Sequence, residues 1–403
     1  MSGRLLLLAL SLALVALGCR RFDVCGTAEQ PCERSPGAEN LGGAGAGGEP
    51  DPSSDCTATR ANCDRSTLNG CETDLQSHPR HCGACDQECV GVCTTGTCVP
   101  FEVRVPELYG SSANVLVTAS AAYFIGQPGL QLDAMSVGRY DLESGEVAWI
   151  IEGGWSDVTA LAATATRLYI LGDDSLYSWS FADGELRDEE LIWAESVSAS
   201  GTTVAAVAYG EAYVRSGDDG PFTLVPDDFY ALAVAATRSS VFIARDASNG
   251  FSVEELSVLE GTRDVIATGT GYARALTVEE FSEAYVIVES EFASQTLHRI
   301  ESPGISEPLV EFSTESLWLL TTSPSPLSGR AWVGTYSEGS RKGLRMAVLR
   351  NQPFFAEWPT VGVVEGLSAS GTELWFVDPL RHALVSIDLE AMIAPAIAVP
   401  LGD

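Results

Sequence analysis

Three features of the sequence predict an all-β chain that carries a seven-bladed β-propeller. Short apolar runs typical of strands recur about every 42 residues after position 100, the 11 cysteines all lie before position 99, and an apolar leader opens the chain. We therefore expect four parts. These are a signal peptide (1–18), a lipid anchor with a flexible tether (19–55), a disulfide-rich module (56–100) and the propeller domain (101–403).

The leader has the pattern of an export signal. Arg4 supplies a positive start, an apolar stretch follows as far as Leu17, and small residues precede Cys19. The stretch is shorter than the roughly 20 residues that a membrane-spanning helix needs. Its ending, Ala-Leu-Gly-Cys at 16–19, resembles the lipobox of bacterial lipoproteins. The resemblance implies that Cys19 becomes the acylated first residue, whereas ordinary cleavage and simple secretion are the alternative.

Cysteine parity supports lipidation. With Cys19 assigned to the lipid, an even set remains that can close disulfides in an oxidising compartment. The sequence leaves the pairing of this set open: Cys25, Cys32, Cys56, Cys63, Cys71, Cys82, Cys85, Cys89, Cys93 and Cys98. We expect an exported protein, anchored by lipid in a bacterial envelope at the outer membrane or cell surface.

The segment between the anchor and the module predicts a flexible tether, because 33–55 is rich in Gly, Pro and Ser. The module itself contains NGCETDL at 69–75 and HCGAC at 81–85. These motifs resemble the Cys-rich module of myxobacterial (deltaproteobacterial) exported proteins. The resemblance covers the module alone and implies a location in the cell envelope, without implying an activity.

Metal binding is the competing interpretation of the module. His78 and His81 lie near the pair Cys82 and Cys85, a spacing that also suits zinc, although an export compartment favours disulfides. Calcium is the other possibility, at the module carboxylates Asp64, Glu72 and Asp74 or at the acidic pairs 173–174, 218–219 and 227–228. Solvated or turn-forming carboxylates are the simpler interpretation, so we expect no cofactor, with calcium left open.

The region after position 100 contains an internal repeat. The pentapeptide at 198–202 recurs unchanged at 368–372, about four units of roughly 42 residues further on. Turns containing Gly with Asp, Ser or Asn separate the strands, as hairpins require. Seven apolar runs mark the units: 122–125, 168–171, 204–207, 241–243, 284–288, 331–333 and 374–377. Seven such units suit a closed ring of blades, and we expect 102–105 and 396–399 to pair in one shared blade.

Charge and composition exclude one class of partner and give little sign of catalysis. The net charge is −32, and such an acidic surface repels nucleic acid. The candidate inner strands at 158–163, 197–200, 231–236 and 366–370 carry small apolar side chains rather than acids, bases or nucleophiles. His298 and His382 have no partner pattern, and 341–345 with Arg350 forms the one basic cluster.

The sequence therefore favours a lipoprotein whose propeller binds an envelope protein, peptide or glycan without catalysis. Two alternatives remain. One is a polysaccharide lyase or hydrolase built on a propeller, which requires charged groups that converge at one mouth of the channel. The other is a structural or adhesion component of the envelope. The sequence identifies no ligand-binding residue.

Overall fold

In a computed structural model of the protein, the described residues run from 56 to 391. The longest gaps in this description are 64–70, 313–319 and 360–366, and between 306 and 366 the backbone alone is described. The chain divides into two units, Met1–Asp51 and Pro52–Asp403, and every described residue belongs to the second unit. Cys19, Cys25 and Cys32 lie outside the described residues. Among the described residues, no helix combines the length and the apolar character that crossing a bilayer requires.

The module has very little regular structure. Strands β1 (Arg60–Ala61) and β2 (Thr73–Asp74) pair with each other, as do β3 (Gly91–Thr94) and β4 (Thr97–Pro100). Its buried cluster consists of Cys82, Cys89 and Cys93, with Cys98 packed against it. Disulfide-bonded cysteines therefore form this buried cluster, because so short a segment has too few apolar side chains to bury.

Four disulfides tie the module together and confirm the predicted framework. They join Cys56 to Cys71, Cys63 to Cys85, Cys82 to Cys93 and Cys89 to Cys98. Each closed loop overlaps the next one along the chain. The staggered order restrains the module from one end to the other, and such links stabilise a fold mainly by restricting the unfolded chain.

The other thirty described strands form seven antiparallel sheets of four or five strands. After β5 (Glu102–Val105), the first sheet contains β6 (Leu108–Tyr109), β7 (Val115–Val117), β8 (Ala121–Pro128), β9 (Met135–Asp141) and β10 (Val147–Trp155). The second contains β11 (Val158–Ala163), β12 (Arg167–Gly172), β13 (Ser175–Ser180) and β14 (Leu186–Ile192). The third contains β15 (Ala194–Ser200), β16 (Thr203–Ala208), β17 (Glu211–Ser216) and β18 (Thr223–Val225).

The remaining sheets repeat this order. The fourth contains β19 (Ala231–Ala236), β20 (Ser240–Ala247), β21 (Gly250–Ser257) and β22 (Arg263–Gly269). The fifth contains β23 (Tyr272–Val278), β24 (Ala284–Glu289), β25 (Gln295–Glu301), β26 (Gly304–Ile305) and β27 (Val310–Phe312). The sixth contains β28 (Leu320–Ser325), β29 (Gly329–Glu338), β30 (Arg341–Leu349) and β31 (Phe354–Pro359). The seventh contains β32 (Leu367–Ser370), β33 (Glu373–Asp378) and β34 (Ala383–Asp388), together with β5.

The inner strands of the sheets form a closed ring. Each of β7, β11, β15, β19, β23, β28 and β32 lies beside the inner strand of the next sheet, and β32 returns to β7. The four inner strands predicted from the sequence take these positions. The apolar runs that mark the repeat form second strands, such as β12 and β16, whose residues are all buried. The core therefore lies between neighbouring sheets, which explains why each repeat needs apolar residues on both faces of one strand.

The ring closes through the N-terminal strand. β5 pairs with β34 in the seventh sheet, with Val105 opposite Leu384. Arg104 strengthens the pairing, because its guanidinium donates to Ser386 Oγ at 2.9 Å and to Glu373 Oε1 at 3.0 Å. The first strand therefore lies in one sheet with strands from the C-terminal part of the chain, where it pairs with β34, and its pairing with 396–399 stays a prediction. Segment 396–399 lies outside the described residues.

The repeated pentapeptide has a shared structural role. Ser198 Oγ accepts a hydrogen bond from Ala236 N of the next inner strand at 3.0 Å. The equivalent Ser368 Oγ accepts one from Val117 N at 2.9 Å, across the junction of the seventh and first sheets. Inner strands have one edge without a strand partner, so a serine hydroxyl that reaches across can satisfy a backbone N–H there.

Candidate binding surface

The module motifs serve the fold of the module. Glu72 Oε1 accepts a hydrogen bond from Cys63 N at 3.0 Å, and Asp74 Oδ1 accepts one from Gln76 N at 2.9 Å. Gly83 has a φ of 77°, and a Cβ there would overlap the carbonyl oxygen of Gly96. The two carboxylates therefore accept hydrogen bonds from backbone N–H groups, and Gly83 leaves room for a backbone carbonyl to approach closely. Asp64 lies outside the described residues.

The histidines of the module also have backbone partners. His81 Nδ1 accepts a hydrogen bond from Asp86 N at 2.9 Å, and His78 Nδ1 accepts one from Arg80 N at 3.2 Å. Burial is the largest cause of the lowered pKa of His78. Both Cys82 and Cys85 are in disulfides, so neither sulfur is a thiolate available to zinc.

In each acidic pair predicted near the blade turns, one carboxylate has a protein partner. Asp173 Oδ1 accepts hydrogen bonds from Ser156 Oγ at 2.7 Å and from the backbone of 156 and 157, and these bonds lower its pKa. Asp219 pairs with Arg187 at 3.3 Å, and Asp227 pairs with Arg263. The side chains of 218 and 228 lie outside the description. Among the described residues, no group of three His, Cys, Asp or Glu side chains is arranged to hold a metal ion.

The two histidines of the propeller lie far apart along the fold and in different settings. His298 is buried on β25, with its Nε2 2.8 Å from Thr296 Oγ1. His382 lies in the turn between β33 and β34, where its ring packs on Tyr109 at 4.9 Å and its carbonyl accepts from Leu108 N at 2.6 Å. The basic cluster at 341–345 begins β30, and its side chains are outside the description.

The surface feature that stands out is a set of three exposed aromatic side chains, Trp193, Tyr209 and Tyr230, which we call the aromatic row. They are 56%, 53% and 68% exposed, although aromatic side chains usually contribute buried area. Trp193 directly precedes β15, Tyr209 lies in the turn between β16 and β17, and Tyr230 directly precedes β19. These positions share one end of the third and fourth sheets, so the row crosses the junction between two sheets.

Two of the rings are neighbours, and the third packs against the turn that carries Tyr209. The ring centroids of Trp193 and Tyr209 lie 6.3 Å apart. Tyr230 packs over Gly210, where an added Cβ would overlap its ring. Gly210 also has a φ of 70°, so a glycine is required at this position for two reasons. Three exposed aromatic side chains are therefore grouped around one turn.

The backbone holds the row in a fixed arrangement. Tyr209 N donates to Trp193 O at 3.2 Å, Ala231 N donates to Gly210 O at 2.6 Å, and Asp246 N donates to Tyr230 O at 2.8 Å. Trp193 and Tyr209 adopt positive φ values of 54° and 55°. Bulky side chains rarely adopt this conformation, and strained residues of this kind concentrate at functional sites.

A concavity lies between the first and second sheets. It has a volume of about 600 Å³ and is lined by residues that include Tyr123, Arg139, Trp179 and Phe181. Tyr123 stacks on Phe181 at 5.6 Å, and burial raises its pKa. Arg139 is held by Asp141 at 2.6 Å, which leaves its charge compensated. The rings here pack mainly on each other, whereas those of the aromatic row face solvent.

Sequence reasoning missed the aromatic row because it looked for function on the inner strands. The signal that could have found it is the position of the aromatic residues relative to the repeat. Tyr209 stands before a glycine between two strands, and Trp193 and Tyr230 come directly before inner strands. Turns rarely need a bulky aromatic side chain, so its presence there indicates a surface role.

The ring of sheets defines the protein as a β-propeller with an N-terminal disulfide-rich module. The chain is similar to the solved Dos1 propeller, with a TM-score of 0.50 and 10% identity over 72% of this chain and 96% of that one. A structure of the mitotic checkpoint complex gives a TM-score of 0.50 and 9% identity, over 72% and 90% of the two chains. The hydrazine synthase of Kuenenia stuttgartiensis gives a TM-score of 0.50 and 10% identity, over 61% of this chain and 82% of that one.

At such low identity these similarities show the fold alone. No protein family profile and no curated protein matches the sequence.

Proposed function

We propose that the protein is an exported lipoprotein in which the seven sheets are the blades of one closed propeller that binds an envelope protein, peptide or glycan. The export leader, the tether and four disulfides support the exported location. The lipobox-like sequence at Cys19 supports the lipid anchor. The tether would let the propeller reach partners away from the membrane.

The aromatic row is the observation that carries the binding role. Three aromatic side chains remain more than half exposed; Trp193 and Tyr209 are ring neighbours, Tyr230 packs on Gly210, and backbone hydrogen bonds join the segments that carry them. Exposed aromatic residues on rigid elements are typical of binding surfaces, because they bury a large area at a small cost in conformational entropy. The strain at Trp193 and Tyr209 is consistent with a surface that is held ready for a partner.

Photo-crosslinking in intact cells that make the full chain tests this role. A photoreactive residue replaces Ile192, which is 52% exposed and adjacent to Trp193. The control position is Leu259, which is 84% exposed in the turn between β21 and β22. We expect adducts at position 192 that are absent at position 259 and are lost in the Trp193→Ala background. Identical adducts at both positions, or adducts that survive Trp193→Ala, would contradict the proposal.

Mass spectrometry of the mature N-terminus tests the anchor. We expect the first peptide of the processed chain to begin at Cys19 and to carry acyl chains, and Cys19→Ala to release the protein from the membrane fraction. A mature chain that begins elsewhere and lacks acyl groups would refute the anchor and leave the binding proposal intact.

A further inference from the structure

We infer that the aromatic row binds a cationic, arginine-containing segment of a partner protein. This inference rests on the proposed function and specifies the chemistry of the partner that the row takes. Two observations carry it: the distribution of charge in the chain around the row, and an internal arrangement in which the same fold already binds an arginine side chain.

The chain that carries the row is strongly acidic. Between 188 and 237 there are nine Asp and Glu residues and one basic residue, Arg215. Arg215 is buried and is held by Glu189 at 2.6 Å, so it offers no positive charge to the surface. Glu195 and Glu211, each two residues from a ring of the row, are both exposed. Asp219 and Asp227 are already paired with Arg187 and Arg263, so the negative charge beside the row is that of exposed carboxylates such as Glu195. This charge attracts cations and repels anions.

The environment of Arg215 shows how aromatic rings and a carboxylate of this protein bind a guanidinium group. Its Cζ lies 4.5 Å from the ring centroid of Phe222 and 5.1 Å from that of Tyr169. Glu189 completes this site with a carboxylate. Arginine suits such a site because its planar group stacks on an aromatic face while it donates hydrogen bonds to a carboxylate.

The aromatic row presents the same groups to solvent. Trp193 and Tyr209 are exposed aromatic side chains, and Glu195 and Glu211, each two residues away in the chain, are exposed carboxylates, of which Glu211 also accepts a hydrogen bond from Tyr213 OH at 2.9 Å. An incoming arginine can stack on a ring and pair with a carboxylate in the same way as Arg215. A neutral glycan also stacks on aromatic rings, but its binding would not depend on charge. An acidic partner would be repelled by a chain with a net charge of −32.

Fluorescence anisotropy with defined peptides tests the inference on the full chain. The probe is a labelled peptide of alternating glycine and arginine, and its matched control replaces arginine with citrulline, which has the same shape without the charge. We expect the arginine peptide to bind at least about tenfold more tightly than the citrulline peptide. Binding should weaken steeply as salt rises from about 0.05 to about 0.5 M, because screening shortens the reach of surface charges.

Substitutions locate the peptide on the row. Trp193→Ala, with Tyr230→Ala as a second variant, should weaken binding about 5- to 30-fold, since each removes a stacking surface. The double variant Glu195→Gln, Glu211→Gln should lower the affinity and reduce its salt dependence. Leu259→Ala should leave binding unchanged. The thermal midpoint of each variant checks that it has folded.

The outcomes separate this inference from the function on which it rests. Absence of binding, equal binding of both peptides, or binding that the row variants leave unchanged overturns the cationic assignment. Binding of a neutral oligosaccharide that requires Trp193 also overturns it, while the proposed binding function stands. If the crosslinks at position 192 survive Trp193→Ala, the proposed function itself fails.

Discussion

Removing the serine hydroxyl that links neighbouring sheets should destabilise the propeller without disturbing either sheet. In Ser198→Ala, Ala236 N loses the hydroxyl that accepts its hydrogen bond at 3.0 Å, and in Ser368→Ala, Val117 N loses one at 2.9 Å. The substitution removes a single oxygen atom and leaves no sizeable cavity. Its effect therefore reports the hydrogen bond between sheets.

The magnitude follows from the burial of the hydrogen bond. A buried donor left unsatisfied costs about 1–3 kcal/mol, and partial access to water lowers that figure towards about 1 kcal/mol. Ser368 is 9% exposed, so we expect Ser368→Ala to cost at least as much as Ser198→Ala. The two sites lie at different sheet junctions, and the double variant should be destabilised by about 2 kcal/mol because distant effects add.

Urea unfolding measures the change in the free energy of unfolding, and calorimetry should show the thermal midpoint falling by about 2 °C for each kcal/mol. Ser196→Ala, on the same inner strand as Ser198, controls for the loss of a hydroxyl and for the change in strand propensity. If the free energies of unfolding of Ser198→Ala and Ser368→Ala both lie within about 0.3 kcal/mol of that of Ser196→Ala, the hydrogen bonds between sheets do not stabilise the ring, and the reasoning is refuted.

Two further predictions concern charged groups. Glu254→Gln should cost about 3 kcal/mol in urea unfolding, because buried Arg245 loses a carboxylate at 2.8 Å, although Asp227 remains within 3.6 Å. Glu185→Gln, which removes an exposed ion pair, should cost less than about 1 kcal/mol, and an equal loss in both variants would contradict the argument. Hydrogen bonds from Ser144, aided by Arg139, lower the pKa of Asp141 to about 2 from its ordinary 3.8, so its contribution to stability is present above pH 3.8 and is lost as the pH falls towards 2. The thermal midpoint of Asp141→Asn should therefore lie below that of the natural protein at pH 7 and match it near pH 2; a constant difference across this range would show that the carboxylate is not responsible.

Much of the fold is predictable from local patterns. The apolar runs around Leu168 and Val204 become fully buried second strands, because a repeat that is apolar on successive residues must be covered on both faces. The eight cysteines of the module form disulfides as expected. Their order, with Cys63 bonded to Cys85 rather than to a closer neighbour, depends on how the chain folds back and is absent from any local pattern.

The aromatic row is only partly visible in the sequence for a related reason. The repeat shows that Trp193 and Tyr230 both directly precede inner strands, but their grouping with the turn at Tyr209 depends on how the sheets pack. Antiparallel pairing puts the start of each inner strand and the following turn at one end of a sheet, and ring closure then places neighbouring sheets side by side. The pairing of the acidic turn residue Asp227 with Arg263 likewise joins residues that no local pattern connects.

By itself, the sequence determined the class of fold, the repeat, the export signal pattern and the disulfide framework, because each depends on local composition or on spacing along the chain. The tertiary structure decided which cysteines pair, which strand closes the ring and which aromatic side chains meet at the surface. These features depend on contacts between residues distant in sequence, such as Val105 with Leu384, and such contacts exist only once the sheets have packed into a ring.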